Sequence, residues 1–484
     1  MFFKIKSKIA LALICIIVII YFVVNFTIGN DKISNLKLLL SNEKRQLIKK
    51  YIFPYKLISE QEIKIYRQTE KINKQNNYID ERNKKIISQN HIMSQLYSKL
   101  ELLKIKEGSE IETSKYEINL SDNLILKKFK FNSGFYAGIW RVFPGSGYID
   151  FHNNNIIVVS ASGILTFKKN ITDDNENFKQ IRNSINEFIN INKFKKKNEF
   201  SIKDLLIFKN KIYISYTNEV REDCWNTGII YGNMNYENIK FKELFLSKQC
   251  IHSRDNIDKE FNAHQSGGRM ISFDKNHILF STGDYVSRHL AQNKSSINGK
   301  ILKINIQTLN YEIISMGHRN PQGLNFDKEN NFILETEHGP MGGDEINLIE
   351  VSKINTQKIL NYGWPISSAG EHYGGKEAET NRVKYEKYPL YNSHKKYGFI
   401  EPLKSFVPSI GISEIAKISK NKYVVSSLKD KSLYFFELNK QKKIFNIKRV
   451  ELFERVRDLK FKNDKLYLFL ENSASIGVIN LTNN

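Results

Sequence analysis

The sequence predicts an all-β fold, a six-bladed β-propeller, preceded by an N-terminal transmembrane helix and a long helical stalk. Three observations carry that prediction. Near the N terminus an uncharged apolar run precedes a charged, glycine-free stretch in which apolar residues return every seven positions. Beyond residue 108 one unit then recurs six times: an apolar strand, a tight polar turn and a second apolar strand. Such a hairpin cannot bury both faces alone, so it stacks on its neighbours, and closing the ring removes exposed edges.

The first eight residues carry Lys4, Lys6 and Lys8, and residues 9–29 hold no charge. About 20 apolar residues span a bilayer as a helix. The run lacks the short apolar core and small-residue end of a cleavable signal peptide, so it reads as an uncleaved, single-pass signal anchor in the cytoplasmic membrane. Positive charge before it keeps residues 1–8 cytoplasmic and sends the remainder to the periplasm or exterior.

Residues 30–108 form the expected stalk. Past Pro54, the positions Ile58, Ile65, Ile72, Ile79, Ile86, Met93 and Leu100 trace one seam of a heptad. The second seam is polar at Gln61, Gln68, Gln75, Arg82 and Gln89, and becomes apolar at Leu96 and Leu103. A long helix follows, with a half-filled pattern that allows either a weak coiled coil joining copies of the chain or a lone helix.

Residues 109–484 form the propeller. Its six hairpins are read at 148–159, 206–215, 271–281, 324–334, 416–426 and 459–469. The longest gap, between the fourth and fifth, holds Gly-Pro, Asp-Glu and Tyr-Gly-Trp-Pro elements and reads as a functional insertion. A hydrophobic content of 41% is enough for a core, and the 484-residue chain is not disordered. The net charge of +23 is spread, with 74 Lys and Arg among 51 Asp and Glu. No nucleic-acid-binding signature accompanies it, so no nucleic-acid partner is expected. Three cysteines are too few for a disulfide scaffold. Cys224 and Cys250 flank a hairpin and could pair in an exported domain, or remain a reduced pair.

Chemistry concentrates between His264 and Trp364. That window holds His264-Gln265-Ser266-Gly267-Gly268-Arg269, Ser281-Thr282-Gly283-Asp284, Gly317-His318-Arg319-Asn320-Pro321-Gln322-Gly323, Glu337-His338-Gly339-Pro340-Met341-Gly342-Gly343-Asp344-Glu345 and Asn361-Tyr362-Gly363-Trp364-Pro365. Imidazole titrates near neutrality, so His264 suits a general base. A guanidinium such as that of Arg319 stabilises negative charge developing on an oxygen.

Together these motifs resemble the soluble quinoprotein glucose dehydrogenase and aldose sugar dehydrogenase family, also called glucose/sorbosone dehydrogenases. The resemblance runs from about residue 125 to the C terminus and is strongest from His264 to Tyr373. It implies a propeller carrying pyrroloquinoline quinone (PQQ) and Ca2+ in its central mouth. On this resemblance His264 is the catalytic base, Asp284 the carboxylate that orients it, and Arg319 and Asn320 the pair over the reactive carbonyl. Lys429, Arg455 and Arg457 hold the carboxylates of the quinone, with Ser409 and Tyr373 as further contacts. Gly339 and Pro340 offer carbonyls to the Ca2+ that bridges to the quinone, while Glu345 and Tyr362, with Asp344, resemble ligands of a second Ca2+. Glu199 stands where the family has a cofactor-touching Gln, and Val407 where it often has Trp before Pro408-Ser409.

The implied reaction is oxidation of the anomeric carbon of an aldose to a lactone. His264 takes the hydroxyl proton, hydride passes to the quinone, and electrons then leave to an external acceptor, a cytochrome or a membrane quinone. Two other readings stay open at this level: a cofactor-less propeller acting as an anchored carbohydrate-binding or scaffold module, and a calcium-dependent lactonase.

Overall fold

Each recurring hairpin proves to be the inner half of one blade. The computed structural model describes Glu43, residues 54–107, 110–132, Phe135 and 146–482, apart from 162, 173–175, 190–200 and 355–357. The expected anchor at 9–29 and Glu199 lie outside the described residues. Among those described, no helix is long and apolar enough to cross a membrane.

The six innermost strands are β1 (Gly147–His152), β2 (Ile202–Phe208), β3 (Gly267–Ser272), β4 (Pro321–Asp327), β5 (Ile412–Ser419) and β6 (Val456–Lys462). Each pairs antiparallel with the strand that follows it. Tight turns make these hairpins. Lys209 and Asn210, like Asn463 and Asp464, are successive residues at positive φ, the primed geometry that matches the twist of paired strands. Side chains from neighbouring blades then interlock. Between the first two, for instance, Val159 and Leu165 share a buried cluster with Ile212, Ile214 and Trp225.

The inner strands neighbour one another in the order β1, β2, β3, β4, β5, β6 and back to β1, which closes the ring. Closure also joins the two ends of the domain. The last blade runs Val456–Lys462, Lys465–Leu470 and Ser475–Asn480, and its outer strands are Ile125–Phe131 and Thr113–Asn119 from the start of the domain. Leu126 pairs with Ile479 and Phe129 with Ile476 in that join.

Polar clasps tie blade to blade around the axis. Asp150 accepts from Ile207 N, Asp204 from Met270 N, Glu414 from Leu324 N and Asp458 from Ile149 N. Arg269 Nε donates to Gln322 O, and Ser413 Oγ to Arg457 O. All six joints are thus bridged, and backbone groups facing the channel find partners, as buried polar groups must.

The expected insertion is real. Blade 4 lacks its fourth strand until the chain returns at Lys404–Phe406 to pair with Asp344–Ile346. On the way, Leu360–Asn361 pairs parallel with Ser315–Met316 at the edge of blade 3. Cys224 and Cys250 form a disulfide with Cα atoms 5.3 Å apart.

In the stalk stretch the described residues include the helix Pro54–Glu107, of 54 residues and therefore about 80 Å long. Proline at its first position costs no hydrogen bond there. Ile65, Ile72, Ile79, Ile86 and Met93, the heptad seam, all stand about half exposed or more along it.

Candidate active site

The motif loops meet at one mouth of the ring. His264 sits in a single 3-10 turn, Ala263–Gln265, where Asn262 Oδ1 accepts from His264 N at 2.9 Å. That turn lies against the Thr-Gly-Asp segment, with Tyr285 N donating to Gln265 O. A Cβ on Gly283 would stand 2.1 Å from Gln265 O, so the close approach demands glycine. Asn320 Oδ1 accepts from Gly267 N, and its carbonyl from His338 N, which pins three motifs together.

His264, Arg319, Asn320, Tyr373, Ser409, Lys429, Arg455 and Arg457 all line one cavity of about 610 Å³. Gly339, Pro340 and Asp344 line it too. Residues as far apart in sequence as His264 and Arg457 therefore converge as the resemblance implied. Burial pushes the His264 imidazole down to about 3, and the positive charges of Lys203 and Arg457 push the same way. The ring is neutral at ordinary pH and able to accept a proton.

Arg319 is fixed from several sides. Its N–H donates to Glu337, its Nη1 to His338 O at 3.0 Å, and its guanidinium lies 5.4 Å from the centre of the Trp364 ring. Trp364 Nε1 donates in turn to Asp284 Oδ2 at 2.7 Å, while Asp284 N donates to Arg319 O. Asp284 Oδ1 accepts from Val286 N. Asp284 thus sits directly behind Arg319, fully buried, with its oxygens turned to Trp364 and Val286 and not to the His264 ring it is expected to orient. Burial raises its carboxyl, with Arg319 opposing the shift.

Arg455 and Arg457 both reach back to a residue the sequence did not flag. Arg455 Nε donates to Glu471 Oε2 at 2.7 Å and Arg457 Nη2 to Glu471 Oε1 at 2.9 Å. Glu471 directly follows the strand Lys465–Leu470 and lies across the hairpin from Arg455, where Glu471 N donates to Arg455 O, so the register of this one hairpin brings it under the arginines. Tyr148, Lys203, Gln322 and His338 also line the cavity. Burial takes the His338 imidazole down to about 4, against the pull of Asp344.

The calcium-associated residues divide. Asp344 Oδ1 accepts from Gly339 N and Oδ2 from Ile412 N, which folds the Gly-Pro loop tightly at the cavity wall. Ser409 Oγ donates to Pro340 O at 3.4 Å. Glu345 and Tyr362 lie away from the lining. Tyr362 OH donates to Leu348 O and its ring stacks on His318 at 4.9 Å. Beside them His318, Glu335 and Glu337 offer ligand atoms within 4.8 Å of one another. Asn347 Nδ2 faces Glu335, Glu337 and Glu345 at 3.0, 3.1 and 3.3 Å. An amide carries two N–H hydrogens and cannot serve three carboxylates, and Glu335 Oε1 and Asn347 Oδ1 are buried without a partner. A surplus of buried oxygens of this kind fits a hard cation.

Ring, axial cavity and cation set define a six-bladed propeller with a cationic site at its axis. The profile of the glucose/sorbosone dehydrogenases matches residues 207–479, more than half of the chain, and the chain belongs to that family. It is 25% identical to aldose sugar dehydrogenase YliI of Escherichia coli (strain K12) over 292 residues, 55% of this chain and 71% of that protein. It is 30% identical to quinoprotein glucose dehydrogenase B of Acinetobacter calcoaceticus over 189 residues, covering 30% of this chain and 38% of that one. In fold it resembles the apo-form crystal structure of the soluble aldose sugar dehydrogenase from Escherichia coli, with a TM-score of 0.52 at 20% identity, covering 69% of this chain and 94% of that one.

Proposed function

We propose that the chain is a PQQ-dependent aldose dehydrogenase that oxidises the anomeric carbon to a lactone outside the cytoplasmic membrane. The observation that carries this reading is the convergence of His264, Arg319, Asn320, Lys429, Arg455 and Arg457 on one cavity. The residues fit the cofactor: Lys429, Arg455 and Arg457 would offer cations to a tricarboxylate, and the guanidinium of Arg319 and the amide of Asn320 would face a carbonyl. Bound there, PQQ would supply the two-electron acceptor. His264, neutral and buried, takes the proton of the anomeric hydroxyl. Arg319, held by His338 O and Trp364, stabilises negative charge in the low-dielectric cavity, where a fixed cation acts most strongly. Glu471 holds Arg455 and Arg457 in place before any ligand arrives.

Ca2+ belongs to the same reading. The Gly339 and Pro340 carbonyls would hold one ion at the cavity wall. The buried oxygens around Glu345, joined by Glu335, Glu337 and Asn347, suit a second.

The apolar run 9–29, the Cys224–Cys250 disulfide and the exposed isoleucine seam support an anchored, outward-facing, oligomeric protein. Its electrons would pass to a cytochrome or a membrane quinone. The test mixes the full-length chain in detergent with PQQ, Ca2+, an aldose panel and a redox dye. Dye reduction that vanishes in His264→Ala supports the proposal. A silent protein that still binds sugar returns the carbohydrate-binding reading, and lactone hydrolysis without quinone returns the lactonase.

A further inference from the structure

Tyr148 lines the cavity, and no sequence motif accounts for it. It stands on β1 directly after Gly147, where a Cβ would come 2.5 Å from the Phe469 ring, so the strand enters the wall tightly packed. The residue is 3% exposed and shares a buried cluster with Val159, Leu165, Ile212 and Ile214. Among the described residues no group hydrogen-bonds its hydroxyl. That oxygen is not sealed inside the protein, as the hydroxyls of Ser146 and Ser266 are, so it opens on the cavity. A hydroxyl held at a buried wall without a protein partner is one that a ligand can satisfy.

The joint between blades 1 and 6 fixes what surrounds it. Asp458 accepts from Ile149 N at 2.7 Å through one oxygen and from Arg269 Nη1 at 2.8 Å through the other. One carboxylate thus ties the residue after Tyr148 to the residue after Arg457. The Arg269 guanidinium it holds lies 5.6 Å from the centre of the Tyr148 ring, which is therefore seated on a fixed cation. Burial pushes the hydroxyl up to about 12 against the pull of Arg457 and then Arg269, so it stays protonated and able to donate.

Arg457 offers only part of its fork to a ligand. Its Nε and Nη2 are turned to Glu471 Oε1 at 3.1 and 2.9 Å, and Nη1 stands 3.4 Å from Gln322 Oε1. A carboxylate brings two oxygens with about four acceptor sites between them. A guanidinium so committed leaves some of those sites open, and a neutral O–H beside it fills one. A sugar hydroxyl gains less at the same place, because a hydrogen bond to an ionised acceptor is roughly twice as strong as one between neutral groups.

We propose that Tyr148 is a further cofactor-binding residue, its hydroxyl donating to the PQQ carboxylate that Arg457 also holds. The proposal rests on the quinone reading of the cavity and deepens it.

The experiment titrates the full-length chain in detergent with PQQ, in the presence of Ca2+ and without sugar, and follows binding by calorimetry. Wild type, Tyr148→Phe, Arg457→Gln and the double variant are compared as a cycle, with thermal unfolding of each as the folding control. Because the hydroxyl holds no protein group, Tyr148→Phe should unfold at the wild-type temperature when PQQ is absent. It should bind PQQ about 10- to 100-fold more weakly, the loss expected when a donor to a charged acceptor is removed. In the Arg457→Gln background the same substitution should cost clearly less, since two donors to one carboxylate are coupled. Equal PQQ affinity of wild type and Tyr148→Phe overturns the proposal and leaves the dehydrogenase reading standing. So does a rise in the KM for sugar at unchanged PQQ affinity, which would give the hydroxyl to the sugar. An equal loss in both backgrounds removes the shared carboxylate and overturns the assignment. A wild type that takes up no PQQ overturns the dehydrogenase reading and this proposal together.

Discussion

Arg269 is the keystone charge of the ring, and replacing it with Met tests how the inner strands are joined. Its guanidinium is buried, with Nη1 2.6 Å from Asp204 and 2.8 Å from Asp458, and Nε 2.7 Å from Glu414. Three inner strands, β2, β5 and β6, present those acids. Methionine fills much of the volume and removes the charge, leaving three buried carboxylates with the half-buried Lys460 as the nearby cation. Breaking a buried pair from one side costs about 3–5 kcal/mol, and a domain of this size loses about 2 °C per kcal/mol, so Tm should fall by about 6–10 °C at pH 8.

The drop should depend on pH in a stated direction. Burial already raises Asp204 to about 6 and Glu414 to about 7, with Arg269 opposing. A carboxyl whose folded pKa is raised contributes stability that is complete below the unfolded pKa, near 4, and is lost as pH rises through the folded value. Without Arg269 both groups move further up, so the deficit of Arg269→Met should shrink markedly at pH 5. Calorimetric unfolding of both proteins at pH 5 and pH 8 reads this directly. A deficit under about 1 kcal/mol, or one equal at the two pH values, refutes the reasoning.

Three further outcomes are expected. Because the His264 imidazole is held down near 3, the acid limb of kcat/KM should not show a base titrating between pH 5 and 8; a limb centred near 6.5 would contradict the burial argument. Glu471→Gln should loosen Arg455 and Arg457 and weaken PQQ binding by about 10- to 100-fold, read by cofactor titration, with the KM for sugar little changed; an unaltered titration removes Glu471 from the site. Replacing Ile65, Ile72 and Ile79 together with Asp should convert an oligomer to a monomer in sedimentation of the detergent-solubilised chain, since like charges cannot share an apolar seam; an unchanged mass shows that the seam joins nothing.

Much of the architecture was legible because it is periodic. Alternating apolar residues around turns such as Lys209-Asn210 and Asn463-Asp464 dictate a hairpin locally, and six copies imply a ring. The heptad from Ile58 onward likewise predicts the helix that begins at Pro54. The motif residues, too, could be read as a set, since glycines such as Gly283 and Gly268 are needed wherever backbones or stems pass closely. What no local pattern encodes is which distant residue completes a site. Lys203 beside His264 and Asp284 behind Arg319 are contacts that no hairpin fixes, and the returning strand Lys404–Phe406 completes a sheet left 54 residues earlier. The sequence by itself determined the strands, the turns and the chemistry on offer, because these follow from neighbours in the chain. Ring closure decided which charges of different blades face one another in the cavity, because their separation is set by the stacking of blades and not by their distance along the sequence.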